Sequence, residues 1–301
     1  MTLVCVGVDG GATHARATVI DESGTELARH RGPAGIVDSR DPAAAAATVA
    51  QLVRAALRDA GATTAAALCC GLAGAGRPHE RETVRVALAL QNIADRISIV
   101  GDAEAAMADA FPDGTGVLVV AGTGSIAWAR RPDASTVRVG GWGRILGDEG
   151  SGYDIALSGL RAIARAADGR SEPTALADAL LAGIPLTEPH ELIAWSDAAT
   201  KAQIASLAPA VLDCAAQGDP AATAIRAAAV SALAHMAATA ARRSPHPIAA
   251  FALTGGLLAP DAPLRAPLIE ALRQTFPHAR ITDRPVDAAL GAARIALTLI
   301  R

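Results

Sequence analysis

The chain has 301 residues, with 27 basic against 30 acidic side chains for a formal charge of −3, and it is 51% hydrophobic and 19% charged. This composition is globular and too apolar for disorder, and the length exceeds what one core usually fills, so two lobes are expected. A mildly acidic chain with 2% aromatic residues lacks the positive field and stacking surfaces of a nucleic-acid binder, and nucleic acid is not an expected partner.

Residues 1–9 form a short apolar run with no basic region ahead of it and no cleavage pattern, so a secretory signal is not expected. No apolar stretch runs uninterrupted for about 20 residues, and no membrane partner is expected. Cys5, Cys69, Cys70 and Cys214 form no CxxC pair and have no histidine at zinc-ligand spacing. They read as free thiols of a cytoplasmic protein. Lys201 is the only lysine among the 27 basic residues. Its solitude rules out a GxxxxGK[ST] loop and the strand lysine of a protein kinase. Phosphate must then be held by backbone amides, arginine and metal.

In chain order, strands are predicted at 3–8, 16–20 and near 26–31, the first two joined by a glycine-rich turn at 9–13. A loop at 32–40 precedes a helix at 42–61, with Asp41 as its N-cap and Gly61 as its stop. A strand at 65–70, a glycine-rich loop at 71–78, a helix at 79–90, a strand at 97–100 and a helix at 103–110 complete one α/β unit. Residues 112–116 read as a boundary. The pattern then restarts with strands at 117–121, 126–130 and near 136–140, the first two again joined by a tight glycine turn. Helices follow at 150–167, 201–217, 219–243, 262–275 and 286–300, with strands at 248–254 and 280–282. A polar, proline-containing stretch with short helices occupies 171–197. When the two starts are aligned, Gly10 matches Gly122, Thr13 matches Ser125, Ala15 matches Ala127 and Ala17 matches Ala129. This weak duplication suggests two lobes of related topology.

Glycines in the turn Asp9, Gly10, Gly11, Ala12, Thr13 let backbone amides approach an oxyanion, and the threonine hydroxyl adds a donor. Asp9, at a strand end, suits Mg²⁺ held partly through water. Taken alone, an Asp-Gly pair is more commonly the turn of a plain β-hairpin. Gly122, Thr123, Gly124 and Ser125 repeat the device in the second half. Asp102 stands between a strand and a helix, where a carboxylate can align a hydroxyl nucleophile; an N-cap is the competing role. Asp148, flanked by glycines at 147 and 150, is a candidate ligand for substrate hydroxyls, or a charge complementing a helix start. Thr254, Gly255 and Gly256 follow a buried strand and allow a flat ring to lie on the backbone, unless they only form a turn.

Taken in order, the motifs at 9–13, 71–78, 102, 122–125, 140–152 and 254–256 resemble those of the BadF/BadG/BcrA/BcrD-type ATPases, which include N-acetylglucosamine kinase-like enzymes. That group sits in the superfamily of actin, sugar kinases and heat-shock ATPases, and the run 141–152 is the most specific part. The resemblance implies an α/β fold of two ribonuclease H-like lobes with ATP in the cleft between them. It places the first lobe at 1–113, completed by a helix at 286–301, and the second at 114–285 with a helical insertion at about 171–217. It implies an ATP-dependent hexosamine kinase, with phosphates at Gly10, Gly11, Ala12, Thr13, Gly122, Thr123, Gly124 and Ser125, and Mg²⁺ at Asp9. Adenosine would meet Thr254, Gly255 and Gly256. Asp102 would be the base, and Gly35, Ala75, Gly76, Asp102, Thr123, Gly124 and Asp148 would meet the sugar. Mammalian-type relatives carry asparagines where this chain has Ile126 and the loop 32–39, so the implied substrate widens from N-acetylglucosamine to relatives such as glucosamine. Two other branches are an iron–sulfur ATPase activator of a dehydratase or reductase, which needs cluster cysteines, and a non-catalytic sugar regulator. The expected partners are a sugar and a nucleotide, with a homodimer left open.

Overall fold

The computed structural model describes residues 3–11, 14–33, 35, 41, 43–75, 77–112, 114–131, 133, 135–184, 186, 188–244, 246 and 249–301. The chain divides into two compact units, Met1–Gly114 with Val286–Arg301, and Thr115–Pro285.

In unit 1 the strands β1 (Val4–Gly10), β2 (His14–Asp21) and β3 (Glu26–Pro33) form an antiparallel meander, which leads into helix α1 (Ala44–Asp59). Then β4 (Ala65–Leu72), α2 (Pro78–Ala89), β5 (Ala94–Gly101) and α3 (Asp102–Ala110) add two parallel strands, for the order β3-β2-β1-β4-β5. Strand β1 is covered on both sides, so from Val4 to Val8 it is buried and apolar without alternation.

Unit 2 repeats the plan. Strands β6 (Gly116–Ala121), β7 (Ser125–Arg130) and β8 (Thr136–Gly140) form the meander, followed by the one-turn helix α4 (Gly143–Leu146) and by α5 (Gly152–Ala167). The stretch that follows carries α6 (Leu176–Leu181), α7 (Leu192–Ala198), α8 (Lys201–Ala205) and α9 (Ala208–Ala216). The helix predicted at 201–217 is thus broken at Ser206 and Leu207, because Pro209 has no amide to donate to the carbonyl one turn back. Helix α10 (Pro220–Arg243) leads to β9 (Ala250–Thr254), α11 (Arg265–Thr275) and β10 (Arg280–Ile281), giving the order β8-β7-β6-β9-β10, which is that of unit 1. By length and composition α10 could cross a membrane. It packs against α5, α9, α11 and strands β6, β7 and β8 of unit 2.

The last helix, α12 (Ala288–Thr298), packs against β1, β4 and α3 of unit 1. Its small residues bring backbone onto backbone: a Cβ on Gly7 of β1 would lie 2.0 Å from the Ala293 nitrogen and 2.1 Å from the Ala289 oxygen. The buried Asp109 carboxylate of α3 anchors the helix, accepting from the Asp287 amide at 2.9 Å and from Arg294 at 2.7 Å. A buried charge is tolerable because it is paired and hydrogen-bonded.

Candidate active site

In unit 1 the ends of three strands lie level. Asp9 pairs with Gly71, Gly71 with Val100, and Leu72 with Gly101, so Asp9 and Asp102 stand two strands apart at the same edge. Asp9 Oδ2 lies 2.7 Å from Arg16 Nη2 across the hairpin. The Gly11 amide donates to the His14 carbonyl at 3.2 Å, while Ala12 and Thr13 lie outside the described residues. Two loops are stitched to this turn: the Gly35 amide donates to the Gly11 carbonyl at 3.2 Å, and the Ala73 amide to the Gly10 carbonyl at 2.9 Å. Gly35 and Ala75 are buried, so they shape these loops from within; Gly76 lies outside the described residues.

Asp102 is not the cap of α3. Gly101 holds the N-cap position and Asp102 is the first helical residue. The cap interaction comes from Glu104, whose Oε1 accepts from the Gly101 amide at 3.4 Å and from Arg81 Nη2 at 2.6 Å. Arg81 Nε donates to the Ala75 carbonyl at 2.8 Å, joining the loop after β4 to the first turn of α3. Asp102 Oδ1 accepts from the adjacent Ala103 amide at 2.9 Å, and Oδ2 takes no hydrogen bond from any described residue. The carboxyl touches solvent yet stands amid dense protein. Burial pushes it above the ordinary carboxylate range; the Ala103 amide opposes this, and the charges of Asp9 and Glu104 add to it. The Asp102 side chain is exposed at the surface of this dense surround, and its carboxyl favours the protonated form more than a free aspartate does.

In unit 2 the turn 122–125 is tied back by its carbonyls. The first amides of α5, those of Gly152 and Tyr153, donate to the Gly122 and Thr123 carbonyls at 2.7 and 3.4 Å. Ser125 Oγ donates to the Glu149 carbonyl at 2.7 Å, and the Ser125 amide to Asp148 Oδ1 at 3.3 Å. Among the described residues, nothing accepts from the amides of Thr123 and Gly124. Two unspent amides at a glycine turn are the arrangement that binds an oxyanion. Strand β9 brings Thr254 beside Val120, and Gly255, at φ +95°, packs so closely that a Cβ would lie 2.2 Å from the Ala121 oxygen. Above Gly256 there is open space.

Asp148 takes a left-handed conformation at φ +64°. The side chain is 4% exposed, and its Oδ2 lies 2.6 Å from Lys201 Nζ. Nothing in the sequence patterns places Lys201, Arg16, Arg81 or Glu104 at the site. The signal for Lys201 was its uniqueness. The four cysteines are free and buried, and burial pushes the Cys69 thiol up to about 12, so they read as core residues.

The chain belongs to the BadF/BadG/BcrA/BcrD ATPase family, whose profile it matches over residues 6–296. It is 32% identical over 220 residues, 71% of each chain, to the N-acetylmuramic acid/N-acetylglucosamine kinase of Clostridium acetobutylicum. It is 28% identical over 311 residues, 98% of each chain, to the N-acetyl-D-glucosamine kinase of Dictyostelium discoideum. A crystal structure from Chromobacterium violaceum, described as a candidate N-acetylglucosamine kinase, matches with a TM-score of 0.78 at 30% identity, covering 98% of this chain and 99% of that one. The fold is that of the actin-like sugar kinases, with an α/β sheet of ribonuclease H type in each unit.

Proposed function

We propose that this protein is an ATP- and Mg²⁺-dependent hexosamine kinase that transfers the γ-phosphoryl group of ATP to the 6-hydroxyl of N-acetylglucosamine or a related amino sugar such as glucosamine. The observation that carries the reading is Asp102, a carboxylate with raised proton affinity at a strand end, relieved of capping by Glu104. Both named relatives are N-acetylglucosamine kinases, which supports the amino-sugar class. Ile126, an apolar residue of β7, offers no hydrogen bond to an N-acetyl group, which keeps unacetylated sugars within the proposal.

Asp102 accepts the hydrogen of the 6-hydroxyl and aims its oxygen at the γ-phosphorus. That oxygen forms the new P–O bond as the bond to the departing ADP oxygen breaks, and the proton passes to Asp102. Because such transition states are loose, alignment is the larger part of the task. The amides of Thr123 and Gly124, with Gly122 and Ser125 framing them, donate to phosphate oxygens, and the turn at Gly10, Gly11, Ala12 and Thr13 serves the same chemistry in unit 1. Gly256, with Thr254 and Gly255 below it, offers a flat backbone surface for adenosine. Asp148, Thr123 and Gly124 meet sugar hydroxyls, and the loops holding Gly35, Ala75 and Gly76 border the sugar. Asp9 fits Mg²⁺, which uses few carboxylates: Oδ2 is on Arg16, and Oδ1 accepts from no described residue. Bound Mg²⁺ would neutralise phosphate charge. The free buried thiols support a reducing, cytoplasmic setting.

Two outcomes are expected. Arg81→Met, which frees both the Ala75 carbonyl and Glu104, raises the sugar KM by about fivefold, the equivalent of one hydrogen bond, with the KM for ATP little changed. Steady-state kinetics with each substrate varied in turn checks it. The reading itself is tested by mass spectrometry and phosphorus NMR of the product from ATP and N-acetylglucosamine. A phosphorus coupled to the C6 protons is expected; inorganic phosphate with unmodified sugar would overturn the proposal.

A further inference from the structure

We propose that Lys201 is a positioning residue for the sugar, acting through Asp148; the inference rests on the hexosamine-kinase reading. A carboxylate with 4% of its side chain exposed must be paired to remain charged in the interior. Asp148 has one long hydrogen bond, from the Ser125 amide to Oδ1 at 3.3 Å, and one cation, Lys201 Nζ at 2.6 Å from Oδ2; that contact is an ion pair outside hydrogen-bond geometry, so Oδ2 has no hydrogen-bond donor among the described residues. The same pair presses on the turn with the two free amides: a Cβ on Gly124 would lie 2.8 Å from Asp148 Oδ1 and 2.9 Å from Lys201 Nζ. One ion pair therefore fixes the carboxylate that would accept sugar hydroxyls, beside the turn and not as part of it.

The lysine reaches this place from a braced element. Thr200 and Gln203 cap α8 reciprocally, the Thr200 amide donating to Gln203 Oε1 at 2.9 Å and the Gln203 amide to Thr200 Oγ1 at 3.2 Å. Ala205 packs over Gly152 at the start of α5, where a Cβ would lie 3.4 Å from the Ala205 oxygen. In a chain whose other basic residues are all arginine, the single lysine stands where a compact ammonium fits between Asp148 and Gly124. A planar guanidinium is larger and fixed in its donor directions. With 34% of its side chain exposed, the ammonium keeps a solvent-facing side while it orients the carboxylate.

The test is steady-state kinetics of K201M, K201R, D148N and the D148N/K201M double variant, with N-acetylglucosamine and ATP varied separately. K201M is expected to raise the sugar KM by about tenfold, with the KM for ATP unchanged within about twofold, and K201R to recover part of that loss because it keeps the charge. The double variant is expected to match D148N, since the lysine acts through the carboxylate it no longer meets. This comparison also covers the case in which K201M fails to fold, because the double variant leaves no unpaired buried charge. A normal sugar KM in K201M, an equal rise in both KM values, or a further loss in the double variant over D148N would overturn the proposal. If the unmodified protein shows no sugar-dependent ADP release, the kinase reading fails and this proposal falls with it. If it does and K201M is unaffected, only the role of Lys201 is lost.

Discussion

Asp102→Asn lowers kcat for sugar phosphorylation by about 10²–10⁴-fold, the usual contribution of a positioned general base, while nucleotide still binds. The amide keeps the size of the side chain and an oxygen for the Ala103 amide, but it cannot take the proton. In the unmodified protein, kcat/KM falls on the acid side as pH drops through the raised pKa of Asp102, above the 3.8 of an ordinary aspartate, and in the Asn variant this limb is missing from the residual rate. The same group makes a stability prediction of opposite sign. The folded protein holds a proton on Asp102 more tightly than the unfolded chain does, so ionising it disfavours the fold. That penalty is absent below pH 3.8, where both states are protonated, and grows as pH rises through the folded-state value. Asp102→Asn therefore melts higher than the unmodified protein at neutral pH, and the difference closes at the acid end. Calorimetry across that range checks it; equal Tm values at neutral pH would mean the carboxyl is not poised. Gain of stability with loss of activity is the signature of a functional residue.

Gly7→Ala has the largest expected effect on stability. The added methyl would sit 2.0 Å from the Ala293 nitrogen and 2.1 Å from the Ala289 oxygen, both backbone atoms of α12 that no rotamer change can move. Either α12 lifts from β1 or the strand bends, at about 3 kcal/mol for overpacking of this kind. Urea unfolding measures the loss. A change below about 1 kcal/mol would mean that α12 is not seated on β1. Since β1 ends at Asp9 and Gly10, a folded fraction of this variant is also expected to bind nucleotide less well.

Much of the fold is legible in the amino acids because its signals are local. Alternating or wholly apolar runs mark the strands, glycine pairs mark the turns, and the match of residues 8–17 to 120–129 anticipates one strand order used twice. The two glycine turns and Asp102 are legible as candidates for the same reason. What is not legible depends on tertiary contact. Asp102 resembles an N-cap because the usual capping-box signature begins with Ser or Thr; here Gly101 takes the cap position and Glu104 supplies the carboxylate. Gly35 and Ala75 are expected from the sequence to meet the sugar, yet both are buried, in loops whose Gly35 and Ala73 amides are stitched to the first hairpin. Lys201 sits at the start of what reads as a long helix. Only the break ahead of Pro209, and the packing of the resulting short helix on α5, carry it to Asp148.

The proposed kinase couples ATP turnover to the presence of an amino sugar. ADP release from ATP and Mg²⁺, followed in a coupled assay with glucosamine, N-acetylglucosamine, N-acetylmannosamine, N-acetylmuramate, glucose or no sugar, tests it most directly. Turnover that depends on an amino sugar and stays near background with glucose is the expected result. ADP release at the same rate with or without any sugar would contradict it.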